Sequence, residues 1–310
     1  MAAAQDADLS NEPTILGHPR ALFVLFFAEL WERFCYYGMR ALLVFYVAEQ
    51  FYSHLSGDAA KGAASASYGG FTALVYALGI FGGTIADRLL GYRRTIIVGG
   101  LFMALGEFML MTPKGWIIDQ RVMFFMGLAA LIVGNGMFKP NISTIVGKLY
   151  KQGDPRRDSG FTIFYMGINI GAALAPFACG WISYKMGTAA IGLPGAAGYV
   201  AAHPDYRYGF LMAGAGMLLG LICFAGFGKL LGDKGLPPKG KEGILPIVQV
   251  VLGAAIAVPG AYFLLSLTED FPSASRRAPP CARILQATGV TCQLALTRSL
   301  QCASCAIMPG

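Results

Sequence analysis

Seven apolar runs divide this chain of 310 residues, each near the length of about 20 residues that a helix needs to cross a bilayer. They lie near residues 21–48, 68–87, 95–112, 121–146, 160–184, 208–228 and 244–267, with short charged segments between them. Runs of this length suit a chain whose solvent is lipid. Only 13% of residues are charged and 55% are hydrophobic, whereas soluble domains carry about 25% charged residues. That composition speaks against a water-soluble enzyme, and the expected fold is an all-α membrane protein. It comprises a six-helix transmembrane bundle over 21–228, a linker over 229–243 and one further transmembrane helix over 244–267.

The 41 glycines fit that fold, because small residues let helices approach closely where no hydrophobic force drives them together. The net charge of +7 does not point to nucleic acid, since the basic residues sit in loops and form no continuous face with interleaved aromatics. Topology accounts for the charge instead. With the N-terminal segment 1–20 in the cytoplasm, the inner segments hold twelve basic residues: Arg20, Arg88, Arg93, Arg94, Lys148, Lys151, Arg156, Arg157, Lys229, Lys234, Lys239 and Lys241. The outer segments hold five: Lys61, Lys114, Arg121, Lys185 and Arg207. That asymmetry satisfies the positive-inside rule, so we expect a multi-pass protein of the cell inner (plasma) membrane with a cytoplasmic N-terminus. The polar start lacks a cleavable signal pattern, and the first span is expected to be its own insertion signal.

Beyond Thr268 the character changes. Residues 268–310 carry Pro272, Arg276, Arg277, Pro279 and Pro280, then Ser, Thr, Ala and Cys without helical or strand period. A reading-frame change near residue 268 is the favoured reading of this atypical tail. A genuine outer tail stapled through Cys281, Cys292, Cys302 and Cys305 is the other. Cys35, Cys179 and Cys223 sit singly in apolar runs, as small buried thiols do.

The sharpest signal lies in the first run, where Glu29, Glu32, Arg33 and Arg40 interrupt an apolar helix. Each charge costs about 2.5 to 3.5 kcal/mol at mid-helix on insertion scales, so none of them can face lipid. At about 100° per residue, these four and Tyr36 and Tyr37 fall on one stripe about 140° wide. Glu29 and Arg33 are also i,i+4 partners that neutralise one another. A structural ion-pair network is the bland alternative, but two acids, two arginines and two tyrosines on one face favour a substrate or proton pathway.

Lys139, in Gly134-Asn-Gly136-Met-Phe138-Lys139-Pro140-Asn141, is a second intramembrane charge. Pro140 and the two glycines are expected to let the fourth helix bend while Lys139 points into a cavity; snorkelling to the cytoplasmic surface is the alternative. Tyr165 and Asn169 share a face of the fifth helix, either to orient a polar ligand or to bond a neighbouring helix. Gly167 and Gly171 read as a packing pair. Tyr76 is interfacial or cavity-lining. Between the second and third runs, Gly83 to Arg94 forms a charged turn, either merely exposed or able to exchange salt bridges as helices move.

Together these residues resemble the proton-dependent oligopeptide transporters of the major facilitator superfamily. The pattern Glu-x-x-Glu-Arg-Phe-x-Tyr-Tyr-Gly is complete from Glu29 to Gly38. Gly83–Arg94 resembles the superfamily's inter-helix motif, Phe138–Asn141 the family's fourth-helix motif and Phe164–Gly171 its fifth-helix signature. The resemblance implies the N-terminal half of a proton-coupled symporter of di- and tripeptides. Glu29, Glu32, Arg33 and Lys139 would then couple protons. Arg33 and Arg40 would attract the peptide carboxylate, and Tyr36, Tyr37, Tyr76 and Asn169 would line the cavity. The implied partners are small peptides, protons and the lipid bilayer. A second six-helix bundle, from a C-terminal continuation or another chain, would complete the cycle. The proton is the coupling ion and no other cofactor is expected.

Two alternatives stand beside this one: a transporter of nitrate or another small anion, drawn by the same arginines, and a non-transporting, truncated membrane protein. An enzyme is not expected, since His18, His54 and His203 fall outside the spans and no phosphate loop, metal cluster or nucleophile-base pair is evident.

Overall fold

The computed structural model describes residues 14–113, 115, 117–189 and 204–269. A two-residue hairpin, β1 (Thr14–Ile15) and β2 (His18–Pro19), leads into α1 (Arg20–Phe51). Its turn uses left-handed backbone at Leu16 and Gly17, as tight hairpin turns do. There follow α2 (Gly57–Ile85), a π turn over Ala86–Leu90 and α3 (Gly91–Leu110). The remaining helices are α4 (Gln120–Lys148), α5 (Arg157–Ala189), α6 (Tyr206–Gly226) and α7 (Leu245–Glu269). The protein is thus the expected all-α membrane protein. Among the described residues, five segments are long and apolar enough to cross a membrane, one of them holding α2 and α3 together. Helix α1 is less apolar because of the charges on its stripe.

Helix α1 is the centre of the bundle and packs against α5, α6 and α2, while α3 packs against α4 and α6. Helix α7 lies outside, against α4 and α2. Glycine sets the crossing of α3 and α4. A Cβ at Gly99 of α3 would meet the Gly134 carbonyl oxygen of α4 at 2.7 Å, and one at Gly134 would meet that of Gly99 at 2.5 Å. The two backbones therefore touch directly, which is the role expected of small residues in a bilayer. Gly167 does the same on α5, where a Cβ would stand 2.9 Å from the Phe26 carbonyl oxygen.

One sequence expectation needs correction. Helix α2 begins at Gly57, not near residue 68. Its first three turns are alanine, glycine and serine with Asp58 and Lys61, so a hydropathy window reads them as loop. Yet Ala60, Ala63 and Ala64 are buried, and Asp58 in the first turn favours a helix N-terminus. Helix α4 runs through Pro140 without a break. Proline leaves the Gly136 carbonyl without its helical donor, and that carbonyl is the nearest group to Gly82 of α2. Asn141 Nδ2 donates to the Gly82 carbonyl at 3.0 Å and to that of Met137 at 2.6 Å, so the loosened turn is held from the side.

The π turn ends at Gly91, whose φ of 72° suits glycine and where a Cβ would meet the Leu236 carbonyl at 2.5 Å. The linker lies against this turn. Arg93 Nε and Nη2 donate to the carbonyls of Lys234 (2.6 Å) and Gly232 (2.7 Å), and Arg94 reaches those of Glu242 (2.7 Å) and Gly243 (3.1 Å). The arginines of the charged turn thus grip linker backbone, and Asp87 accepts from the Tyr92 hydroxyl. The tail beyond Glu269, with its four cysteines, lies outside the described residues, as do residues 1–13 and His203.

Candidate functional site: a charge cluster on the first helix

Because α1 is central, its polar stripe is drawn inside. Glu29, Glu32 and Arg33 are exposed by only 2%, 0% and 4%. Arg33 Nε lies 3.0 Å from Glu29 Oε1 and also pairs with Glu32 Oε2. One guanidinium therefore bridges two carboxylates on successive turns. Asn135 of α4 donates from Nδ2 to Glu32 Oε1 at 2.8 Å. A buried ion pair is tolerable only when its remaining donors and acceptors are satisfied, and here they are not all so. Glu29 Oε2 and Arg33 Nη2 have no hydrogen-bond partner. The cluster thus keeps an acceptor and a donor unspent in the middle of the bundle.

Lys139 of α4 is half-buried, with Nζ 5.0 Å from the Tyr76 ring centroid, and its charge acts on both Glu29 and Glu32. It is turned toward α2. Tyr36 is buried, stacks on Phe71 at 6.3 Å and stands edge-on to Tyr37 at 5.4 Å. Arg33 lies 5.5 Å from the Tyr36 ring, and the exposed Arg40 lies 5.8 Å from that of Tyr37 and 5.3 Å from that of Tyr68. Guanidinium groups held over aromatic faces stay charged and oriented. Tyr76 is 67% exposed, and Tyr165 and Asn169 are exposed on α5. Asn169 makes no hydrogen bond to another helix among the described residues, which leaves its amide available.

The structure therefore brings Glu29, Glu32, Arg33, Tyr36 and Tyr37 together and places Lys139 beside Tyr76. Arg40 stands at the open end of the stripe, and Asn169 stands apart on α5. Three residues escape the sequence reading. Tyr68 is the first residue of the second apolar run, where no charge or period marks it. Asn135 sits one helical turn before Lys139, on the same face of α4. Glu107 is a single acid in the apolar run of α3, and the signal that exposes the α1 stripe applies to it equally.

Enclosed charges within a helical membrane bundle mark functional sites, among them the ion and substrate paths of transporters. The chain belongs to the POT family, whose sequence model matches residues 93–258. It is 42% identical over 228 residues to an uncharacterized transporter, YclF, of Bacillus subtilis (strain 168), covering 71% of this chain and 41% of that protein. It is 40% identical over 269 residues to a di-/tripeptide transporter of Lactococcus lactis subsp. lactis (strain IL1403), covering 82% and 48%. Among solved structures, the peptide transporter POT in complex with sulfate aligns with a TM-score of 0.62 at 37% identity, over 85% of this chain and 48% of that one. A POT family transporter in complex with a thioalcohol conjugated peptide aligns with a TM-score of 0.59 at 35% identity, over 84% and 50%. The chain spans about half the length of the relatives it matches.

Proposed function

We propose that this chain supplies the N-terminal bundle of a proton-coupled symporter of di- and tripeptides, seated in the inner (plasma) membrane with its N-terminus in the cytoplasm. The observation that carries the reading is the enclosed Glu29–Arg33–Glu32 bridge. Its acids can take up a proton only if Arg33 finds another anion, and a peptide carboxylate is such an anion. Peptide arrival and protonation are then linked through one guanidinium. Glu29, Glu32, Arg33 and Lys139 do the coupling. Arg40 adds a second positive charge at the open end, while Tyr36, Tyr37, Tyr76 and Asn169 shape the cavity. The second wall comes from another six-helix bundle, because alternating access needs two bodies moving about one site. The name of the Lactococcus relative and the peptide held in a solved family member support a peptide as cargo, and membership of a transporter family speaks against an enzyme.

The test is accumulation of a labelled dipeptide, under an inward proton gradient, by vesicles in which this chain is joined to a second bundle. Unlabelled dipeptide should abolish the signal and nitrate should leave it. Competition by nitrate with indifference to peptide would move the assignment to an anion transporter, and no accumulation would favour a non-transporting protein.

A further inference from the structure

Glu107 of α3 lies outside the α1 cluster and is completely enclosed, at 0% exposure. Its surroundings differ from those of Glu29 and Glu32, which share Arg33. Among the described residues no lysine or arginine pairs with Glu107. Its one hydrogen bond comes from the Cys35 thiol of α1, with Sγ 3.4 Å from Oε1, and Oε2 has no partner. A thiol is a weak donor, and a bare carboxylate in a dry interior is untenable unless paired and hydrogen-bonded. The neutral acid is the form that this arrangement accommodates.

Among the described residues, the neighbouring elements supply no compensating charge. Helix α6 presents Gly214, where a Cβ would stand 3.0 Å from Glu107 Cβ. Helix α4 packs Gly127 and Leu131 against the adjacent Gly106. Helix α5 brings the buried Cys179, and α1 brings Cys35; these thiols are the titratable groups within electrostatic reach of Glu107. Cys35 also feels Glu32, three residues before it on α1. One turn of α1 thus separates the bridged acid from the thiol that holds the unbridged one.

We propose that Glu107 is a further proton-binding site of the bundle, linked to the Glu29–Glu32–Arg33 cluster through Cys35. It rests on the proton-coupling reading above. While α1 packs against α3, Glu107 keeps its proton. When α1 shifts and water enters, the carboxyl O–H bond breaks, the proton passes to water, and the carboxylate is held by the Cys35 thiol and the entering water. Any movement of α1 that rearranges the cluster also moves this thiol.

Infrared difference spectroscopy of the 310-residue chain in lipid nanodiscs, stepped in pH, tests this directly, with Glu32→Gln as the background so that one bridged acid is silent. The expected result is a protonated-carboxyl band that is absent from Glu107→Gln and that disappears as pH rises. In Cys35→Ala the same band should titrate at a different pH, a readout that stands even if Glu107→Gln fails to fold. A band that never titrates while the protein remains folded, or a spectrum that Glu107→Gln and Cys35→Ala both leave unchanged, overturns the proposal. If the Glu107 band titrates as expected but proton-coupled uptake is indifferent to Glu32→Gln, the coupling reading fails and the proton site stands.

Discussion

Asn135 and Glu32 meet in the interior of the bundle, the amide Nδ2 donating to the carboxylate Oε1 at 2.8 Å, and this bond joins α4 to the charged stripe of α1. Asn135 lies four residues before Lys139, so one face of α4 carries both the neutral donor and the cation that address the α1 acids. Replacing Asn135 by Ala strands a buried carboxylate oxygen, which costs about 1–3 kcal/mol. We expect a lower unfolding temperature in detergent and weaker uptake, whereas Asn135→Gln should retain part of both. Thermal unfolding followed by circular dichroism reads the first and labelled-dipeptide accumulation the second.

The direct contact of α3 and α4 predicts a steric effect of known direction. Gly134→Ala places a methyl 2.5 Å from the Gly99 carbonyl oxygen, and overpacking of this kind costs about 1–3 kcal/mol. Gly180→Ala is the matched control, since a Cβ there meets nothing within 4 Å; it should be neutral or stabilise by up to about 1 kcal/mol. Equal unfolding temperatures for the two variants would contradict the close crossing.

Arg93 grips two linker carbonyls and its own backbone N–H donates to the Gly235 carbonyl at 3.0 Å. Arg93→Ala should release residues 232–240, making cleavage by trypsin at Lys234, Lys239 and Lys241 several-fold faster. Arg93→Lys should rescue little, because a single ammonium cannot reproduce the forked pair of bonds. Unchanged cleavage rates would mean that the linker is held by other contacts.

Outside the membrane, Asp154 accepts from the Arg156 side chain and backbone, and these bonds hold its carboxyl below the ordinary aspartate range. Arg156 in turn donates to the Gly17 carbonyl at 3.1 Å, pinning the N-terminal hairpin. A carboxyl with a depressed folded-state value contributes stability above its unfolded value and loses it as pH falls through the folded one. Protection factors at residues 14–19, taken against the intrinsic exchange rate at each pH, should therefore be high at neutral pH, fall in acid, and be low throughout in Asp154→Asn.

Much of this site is legible in the sequence because charge inside an apolar run is costly in lipid and must therefore face inward. The α1 stripe follows from that rule and a helical period alone. The same rule applies to Glu107, yet a single acid without a partner on its own helix makes no pattern, and its thiol neighbour is 72 residues distant in the chain. The start of α2 is illegible for another reason: Ala60, Ala63 and Ala64 fill a helix crossing by being small, a property that hydropathy does not register. The grip of Arg93 on the linker depends on backbone carbonyls, which carry no sequence signature. The hold of Asn141 on the turn that Pro140 loosens is illegible for the same reason, since its partner is the Gly82 backbone carbonyl.

The coupling role of the α1 bridge is tested most directly by dipeptide-driven proton entry, read with a pH dye trapped in vesicles that contain this bundle and its complement. Added dipeptide should acidify the lumen of wild-type vesicles, and Glu32→Gln or Lys139→Ala should abolish that acidification. Acidification that both variants leave intact would contradict the assignment of proton coupling to this cluster.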